Sequence, residues 1–193
     1  MYFLDTLISL LPQARPRDTL SRYGLEPRRF GVVTLHRPAN VDRPQTLSLL
    51  LEVLMETSRR LPLVFPAHPR TMQRMERFGL CARLNTCKEI IQLPPLGYLD
   101  FLALTSQAKM IVTDSGGLQE ESTALGIPCL TVRPNTERPI TVTEGTSTLV
   151  GDDPARLWQC VQAVLDGTYK RGSCPPLWDG RAAERAARVL VGV

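Results

Sequence analysis

Met110-Ile111-Val112-Thr113-Asp114-Ser115-Gly116-Gly117-Leu118-Gln119-Glu120-Glu121 is the stretch on which the fold turns. A short apolar run enters a glycine pair, and a polar segment of helical character follows it. This reads as a buried strand feeding a helix through a tight turn. Glycines let a backbone approach a ligand with no side chain in the way. The first N–H groups of the helix have no intrahelical acceptor and carry partial positive charge. A phosphate or diphosphate is the expected guest. Glu121 falls about one turn into the helix, where a carboxylate can accept hydrogen bonds from two sugar hydroxyls. On this segment alone, a plain strand-to-helix turn explains the glycines equally well.

The same alternation extends outward. Expected strands are Phe30–Leu35, Leu63–Phe65, Ile90–Leu93, Met110–Thr113, Pro128–Val132 and Thr148–Val150. Between them lie segments with helical spacing. One has Leu47, Leu50, Leu51 and Leu54 behind Pro44; another runs from Thr71 to Phe78 and stops at Gly79; a third spans Tyr98–Gln107. Asp153-Pro154 caps and starts a later helix that Gly167 closes, and a last helix runs from about Gly180 to Val191. Strands alternating with helices of this length predict an α/β fold with a six-stranded parallel sheet covered by helices on both faces. Tyr2–Leu11 is a short apolar helix, with Pro12–Pro16 as a separator. The expected division is residues 1–16 as an N-terminal helix and linker, 17–170 as the Rossmann-like domain and 171–193 as a C-terminal loop and helix.

Composition excludes several classes. The chain has 193 residues, 43% of them hydrophobic, enough for one substantial core. Its longest apolar stretch, Thr46–Met55, is interrupted by Glu52, so no membrane span is expected. No basic patch precedes the first apolar run, and Asp5 sits in that run, which is not a signal-peptide pattern. Five cysteines without a Cys-x-x-Cys pair, and only His36 and His68 as histidines, give no metal-ligand spacing. The cysteines read as reduced thiols of a cytoplasmic protein. The 23 Lys and Arg residues are scattered rather than aligned, and aromatics are only 6%, so no nucleic-acid partner is expected. Neither Gly-x-Gly-x-x-Gly nor Gly-x-x-x-x-Gly-Lys-Ser/Thr occurs.

In an open parallel sheet, ligands bind beyond the carboxyl ends of the strands. His36-Arg37 follows the first expected strand, His68-Pro69 the second and Pro94-Pro95-Leu96-Gly97-Tyr98 the third. Asp114-Ser115-Gly116-Gly117 follows the fourth, and Arg133–Pro139 the fifth. All therefore fall on one edge. Each has a plainer role available. His68-Pro69 can be a helix entry, and Asp114 is better read as the cap of the glycine helix than as a site residue. Phe101 is more often core than a stacking platform. Glu120 and Glu121 point to different sides of their helix and do not form an acid–base pair. Arg138, in a Pro-flanked loop beside the anion site, suits a phosphate contact.

Thr34-Leu35-His36-Arg37-Pro38-Ala39-Asn40 resembles the His-Arg-Arg-Glu-Asn motif of the non-hydrolysing UDP-N-acetylglucosamine 2-epimerases. Thr113–Glu121 resembles that family's Thr-Asp-Ser-Gly-Gly-x-Gln-Glu-Glu. Arg133–Pro139, Gly145-Thr146, Leu149-Val150-Gly151 and Asp179-Gly180-x-Ala182-Ala183-Glu184-Arg185 match in order. The resemblance spans nearly the whole chain. It implies a Rossmann-like sheet that is one half, the UDP-holding C-terminal half, of a glycosyltransferase-B-like (GT-B) two-domain fold. Ser115, Gly116 and Gly117 would hold the diphosphate, with Arg138 as a positive contact. Glu121 would bind the ribose, Leu96 and Phe101 would lie at the uracil, and His36 would face the reacting sugar as the catalytic residue. Arg37 and His68 complete the substrate-binding set. The implied reaction inverts C2 of a UDP-sugar by eliminating and re-adding UDP, without a metal or cofactor. The implied partners are UDP-GlcNAc or UDP-ManNAc, an N-terminal domain or separate chain, and a second copy in a homodimer. Two departures stand out: Pro38 replaces an Arg of the motif and Ala39 its Glu. A GT-B glycosyltransferase and a non-catalytic nucleotide-sugar-binding module are the alternatives.

Overall fold

The computed structural model describes residues 2–192, and the side chains from residue 4 onward. The helices are α1 (Tyr2–Ala14), α2 (Thr19–Arg22), α3 (Pro38–Val41), α4 (Pro44–Ser58), α5 (Pro69–Arg77), α6 (Cys81–Leu84), α7 (Tyr98–Thr105), α8 (Gly116–Ala124), α9 (Ile140–Thr143), α10 (Pro154–Leu165) and α11 (Ala182–Val191). The strands are β1 (Gly31–Thr34), β2 (Leu63–Pro66), β3 (Ile90–Leu93), β4 (Met110–Thr113), β5 (Cys129–Thr131) and β6 (Ser147–Leu149). All pairings are parallel, in the order β3-β2-β1-β4-β5-β6. The Rossmann-like six-stranded sheet read from the sequence is the one observed.

Two apolar layers sandwich the sheet, because successive strand residues point to opposite faces. Val33 joins Leu47, Leu50 and Leu54 of α4 and Val161 of α10 on one face. Val32 joins Val64, Ile111, Leu104 of α7 and Leu118 of α8 on the other. The order reverses between β1 and β4, so the loops after these two strands diverge to opposite faces. That divergence opens a crevice at their carboxyl ends.

The first helix differs from its expected end. It continues through Pro12 to Ala14, although an internal proline removes one helical hydrogen bond. Packing outweighs this cost: Leu4, Leu7 and Ala14 are buried against Leu102, Ala103 and Trp178. Each buried leucine contributes about 1.5–3 kcal/mol. The last helix begins two residues later than expected. Gly180 takes a left-handed turn (φ 76°) against Ile8, and Asp5 accepts from the N–H groups of Ala182 and Ala183 at 3.1 and 2.7 Å. The two chain ends therefore fasten to each other. The four-residue helices α2, α3, α6 and α9 escaped the sequence reading, since one turn is too short to establish a period.

Candidate functional site

A cleft of about 600 Å³ lies at the carboxyl ends of the strands. It is lined by His36 after β1, His68 after β2, Leu96, Tyr98 and Phe101 around the start of α7, and Ser115, Gly117 and Glu121 of the β4–α8 segment. Seven of the ten residues singled out in the sequence meet there. Gly116, Arg37 and Arg138 are not among its lining residues.

The glycine corner has the form of an anion cradle. Ser115 is the N-cap of α8, yet its side chain makes no capping bond, so its hydroxyl is uncommitted. A Cβ on Gly117 would meet only Ser115 Oγ, at 4.0 Å; the missing side chain therefore leaves open space facing the cleft. Gly116 is glycine for a different reason. A Cβ there would stand 2.7 Å from Arg138 Nη1, so its absence lets the guanidinium lie over the helix start. Arg138 is held in place by Glu120, with Nε 3.0 Å from Oε2. The two atoms are not aligned for a hydrogen bond, and the contact is ionic. The 133–139 loop is tied to α8 through Thr136 Oγ1, which donates to Gln119 Oε1 at 2.7 Å and accepts from Arg138 N at 3.0 Å. Arg133, buried, forks onto Glu137 at 2.7 and 3.0 Å and draws the Glu137 carboxyl down to about 2.

Asp114 overturns its sequence reading as a helix cap. Its side chain is fully buried and turns back toward β1. It accepts from His36 N (3.0 Å), Arg37 N (2.8 Å) and Asn40 Nδ2 (3.0 Å), and its Oδ1 lies 2.7 Å from His36 Nδ1. Burial opposes its ionisation, but the contact with His36 and the other donated hydrogen bonds outweigh burial and hold the carboxyl below its ordinary value. The capping reading failed because β4 brings Asp114 level with the end of β1, a neighbour invisible in local sequence. Its consequence is chemical. The carboxylate fixes the Nδ1–H form of His36, so Nε2 on the far side of the ring is the nitrogen open to a ligand.

His68 is set in the opposite sense. Its Nδ1 accepts from Arg70 N at 3.1 Å at the start of α5, which places the ring proton on Nε2. The two imidazole centroids are 5.8 Å apart. Asp42, at the end of α3, pairs with both Arg70 and Arg74 of α5. The departures at 38 and 39 fit this arrangement. Pro38 takes the first position of α3, where proline is favoured. Ala39 is exposed, and the orienting partner of His36 is Asp114.

On the other wall, Glu121 is nearly buried, and Tyr98 Oη donates to its Oε1 at 3.1 Å. Burial pushes the Glu121 carboxyl up, with Tyr98 pulling it partly back. Burial likewise pushes the Tyr98 phenol up, with Glu121 adding to the effect. Glu120 and Glu121 do diverge, one to Arg138 and the other to Tyr98. Phe101 packs against the second core layer, the plainer reading, and also lines the cleft. Tyr98 and Asn40 went unassigned in the sequence reading, and Asp114 was read as a cap. Asn40 and Asp114 both lie within quoted motifs, which was a signal; Tyr98 gave no local sign of its contact with Glu121. Among the described residues, no cluster of His, Cys, Asp and Glu could hold a metal ion, and no helix is long and apolar enough to cross a membrane.

A family model described as UDP-N-acetylglucosamine 2-epimerase matches residues 3–191. The chain belongs to that family. Two UDP-N-acetylglucosamine 2-epimerases illustrate the relationship. That of Methanocaldococcus jannaschii is 41% identical over 163 residues, covering 83% of this chain and 44% of the relative. That of Escherichia coli O157:H7 is 33% identical over 201 residues, covering 97% and 52%. The solved structure of the Methanocaldococcus jannaschii UDP-GlcNAc 2-epimerase in complex with UDP-GlcNAc and UDP superposes with a TM-score of 0.86 at 34% identity, covering 100% of this chain and 53% of that one. The chain thus spans about half the length of the epimerases it matches, and its Rossmann-like sheet is one half of a GT-B-like fold.

Proposed function

We propose that the cleft binds UDP-sugars and that the chain is the UDP-holding half of a UDP-N-acetylglucosamine 2-epimerase. The observation that carries this reading is the glycine corner: an uncommitted serine hydroxyl, the open N-terminus of α8 and Arg138 converge beside a nearly buried carboxylate. Backbone donors and a guanidinium suit a diphosphate. Ser115, Gly116, Gly117 and Arg138 take that role, Glu121 the ribose hydroxyls, and Leu96 and Phe101 the uracil. Arg37 holds the Asp114 turn through Nε to the Asp114 carbonyl at 3.0 Å.

In the proposed reaction, loss of the C2 proton and breakage of the anomeric C1–O bond give UDP and an unsaturated sugar. Re-addition of UDP at C1, with a proton returned to C2 on the face opposite the one it left, interconverts UDP-GlcNAc and UDP-ManNAc. His36, oriented by Asp114, and the Nε2–H of His68 face the departing diphosphate and sugar. Abstracting the C2 proton needs a base within hydrogen-bond reach. Glu121, the carboxylate that lines the cleft, is assigned to the ribose, and Asp114 lies outside the lining, engaged with His36. We assign the base to a complementary half, on a further domain or a separate chain, in line with the doubled length of the relatives.

Calorimetry of the chain with UDP tests the binding and is expected to give weak, saturable affinity; no binding would refute it. A C2-inversion assay on the same chain is expected to give no turnover, and turnover would refute the division of labour.

A further inference from the structure

We propose that Tyr98 is the positioning residue that makes this cleft select a ribonucleotide over its 2′-deoxy counterpart; the inference rests on the UDP reading. Tyr98 is the first residue of α7, set by Gly97 as N-cap after a Pro-Pro-Leu run. Its phenol reaches across to α8 and donates to Glu121 Oε1. Among the described residues, the Glu121 carboxylate accepts from no other group. Oε2 is left for a ligand, and Glu121 lines the cleft.

A carboxylate has about four acceptor positions, so Oε1 can serve Tyr98 and a ligand hydroxyl together. The cis-diol of a ribose offers two O–H donors on adjacent carbons, which match the two oxygens of one carboxylate. A glutamate side chain has several torsions, and an unheld carboxylate this deep would turn toward water. The hydrogen bond from Tyr98 fixes the plane in which the diol is met. A ligand with one hydroxyl leaves one oxygen of a desolvated carboxylate unmatched, and sites built in this way reject such analogues. Tyr98 itself is 38% exposed, so its hydroxyl does little for the core, and the Phe ring that replaces it keeps the same volume.

The test is calorimetry of the full chain and its Tyr98→Phe and Glu121→Gln variants with UDP, 2′-deoxy-UDP and inorganic pyrophosphate. The wild-type chain should prefer UDP over 2′-deoxy-UDP by about tenfold. Tyr98→Phe should lose about fivefold in UDP affinity and leave 2′-deoxy-UDP and pyrophosphate unchanged, with an unaltered melting curve. Equal losses on both nucleotides, or no loss on either, overturn the role of Tyr98. A wild-type chain indifferent to the 2′-hydroxyl also overturns it, while the UDP reading survives on Glu121→Gln weakening UDP but not pyrophosphate. A wild-type chain that binds neither nucleotide overturns both.

Discussion

Two depressions of similar size open at opposite edges of the sheet, and only one is equipped as a site. The amino-terminal one is the larger, about 680 Å³, and is rich in charge: Arg28, Arg29, Arg60, Lys88 and Lys109 line it with Glu26 and Glu89. Its arginines are already engaged, Arg29 with Glu26, Arg60 with Asp166 and Arg28 with the Ala108 carbonyl. The N–H groups of Gly31, Leu63 and Lys109 are satisfied by neighbouring carbonyls. At the carboxyl edge the carboxylates of Asp114 and Glu121 are buried, each held by a named partner, and the first turn of α8 is open. Exposed pairs of flexible side chains contribute little and impose no orientation. Buried groups held by hydrogen bonds meet a ligand without reorganising. Orientation, rather than volume or charge count, separates the two edges.

The sharpest way to break the comparison is Asp114→Ala. It leaves the donors of His36, Arg37 and Asn40 facing a void, with an expected loss of about 3 kcal/mol in urea unfolding and of measurable UDP binding. A variant of near wild-type stability would mean that the dyad is ornamental. The pH dependence has a definite sign. The folded-state value of Asp114 is depressed, so its contribution is complete above the ordinary carboxyl value of about 3.9 and is lost as pH falls through the lower folded value. The stability gap between wild type and Asp114→Asn should be constant from neutral pH to about 5 and close below about 4.

Next in size, Gly117→Val places a side chain in the ligand's space and should weaken UDP more than about tenfold. Unfolding should move by less than about 1 kcal/mol. A matching loss of stability would assign the glycine to folding instead.

Glu121→Gln sharpens the contrast from the other side. Burial raises the Glu121 carboxyl, so the free chain bears a cost of charge only above the ordinary glutamate value of about 4.3. The variant should gain up to about 1 kcal/mol at pH 7 and nothing at pH 4, while losing UDP affinity. Unchanged stability at both pH values would contradict a desolvated carboxylate. The smallest effect belongs to the amino edge. Lys88→Ala with Lys109→Ala should leave the UDP titration unchanged within about twofold; a larger loss would make the two edges one system.

Much of this was legible in the chain itself. Strand cores such as Val32-Val33 and Ile111-Val112, the helical spacing of Leu47, Leu50, Leu51 and Leu54, and the caps Asp153 and Gly167 are local signals, and each names its element. Parallel topology then sends the loop after every strand to one edge, so the gathering of His36, His68, Ser115 and Glu121 followed from chain order. The path of α1 through Pro12 was not legible, because the packing that outweighs the proline comes from residues about ninety positions away, on α7.

The chain's own pattern determined the layered sheet, the edge at which His36, His68 and Ser115 gather and the glycine corner, because hydrophobic period and turn chemistry act over a few residues. Tertiary structure decided what Asp114 and Tyr98 do. Asp114 meets His36 across 78 positions and Asn40 across 74, and Tyr98 meets Glu121 across 23. A hydrogen bond depends on distance in space, which only the folded chain supplies.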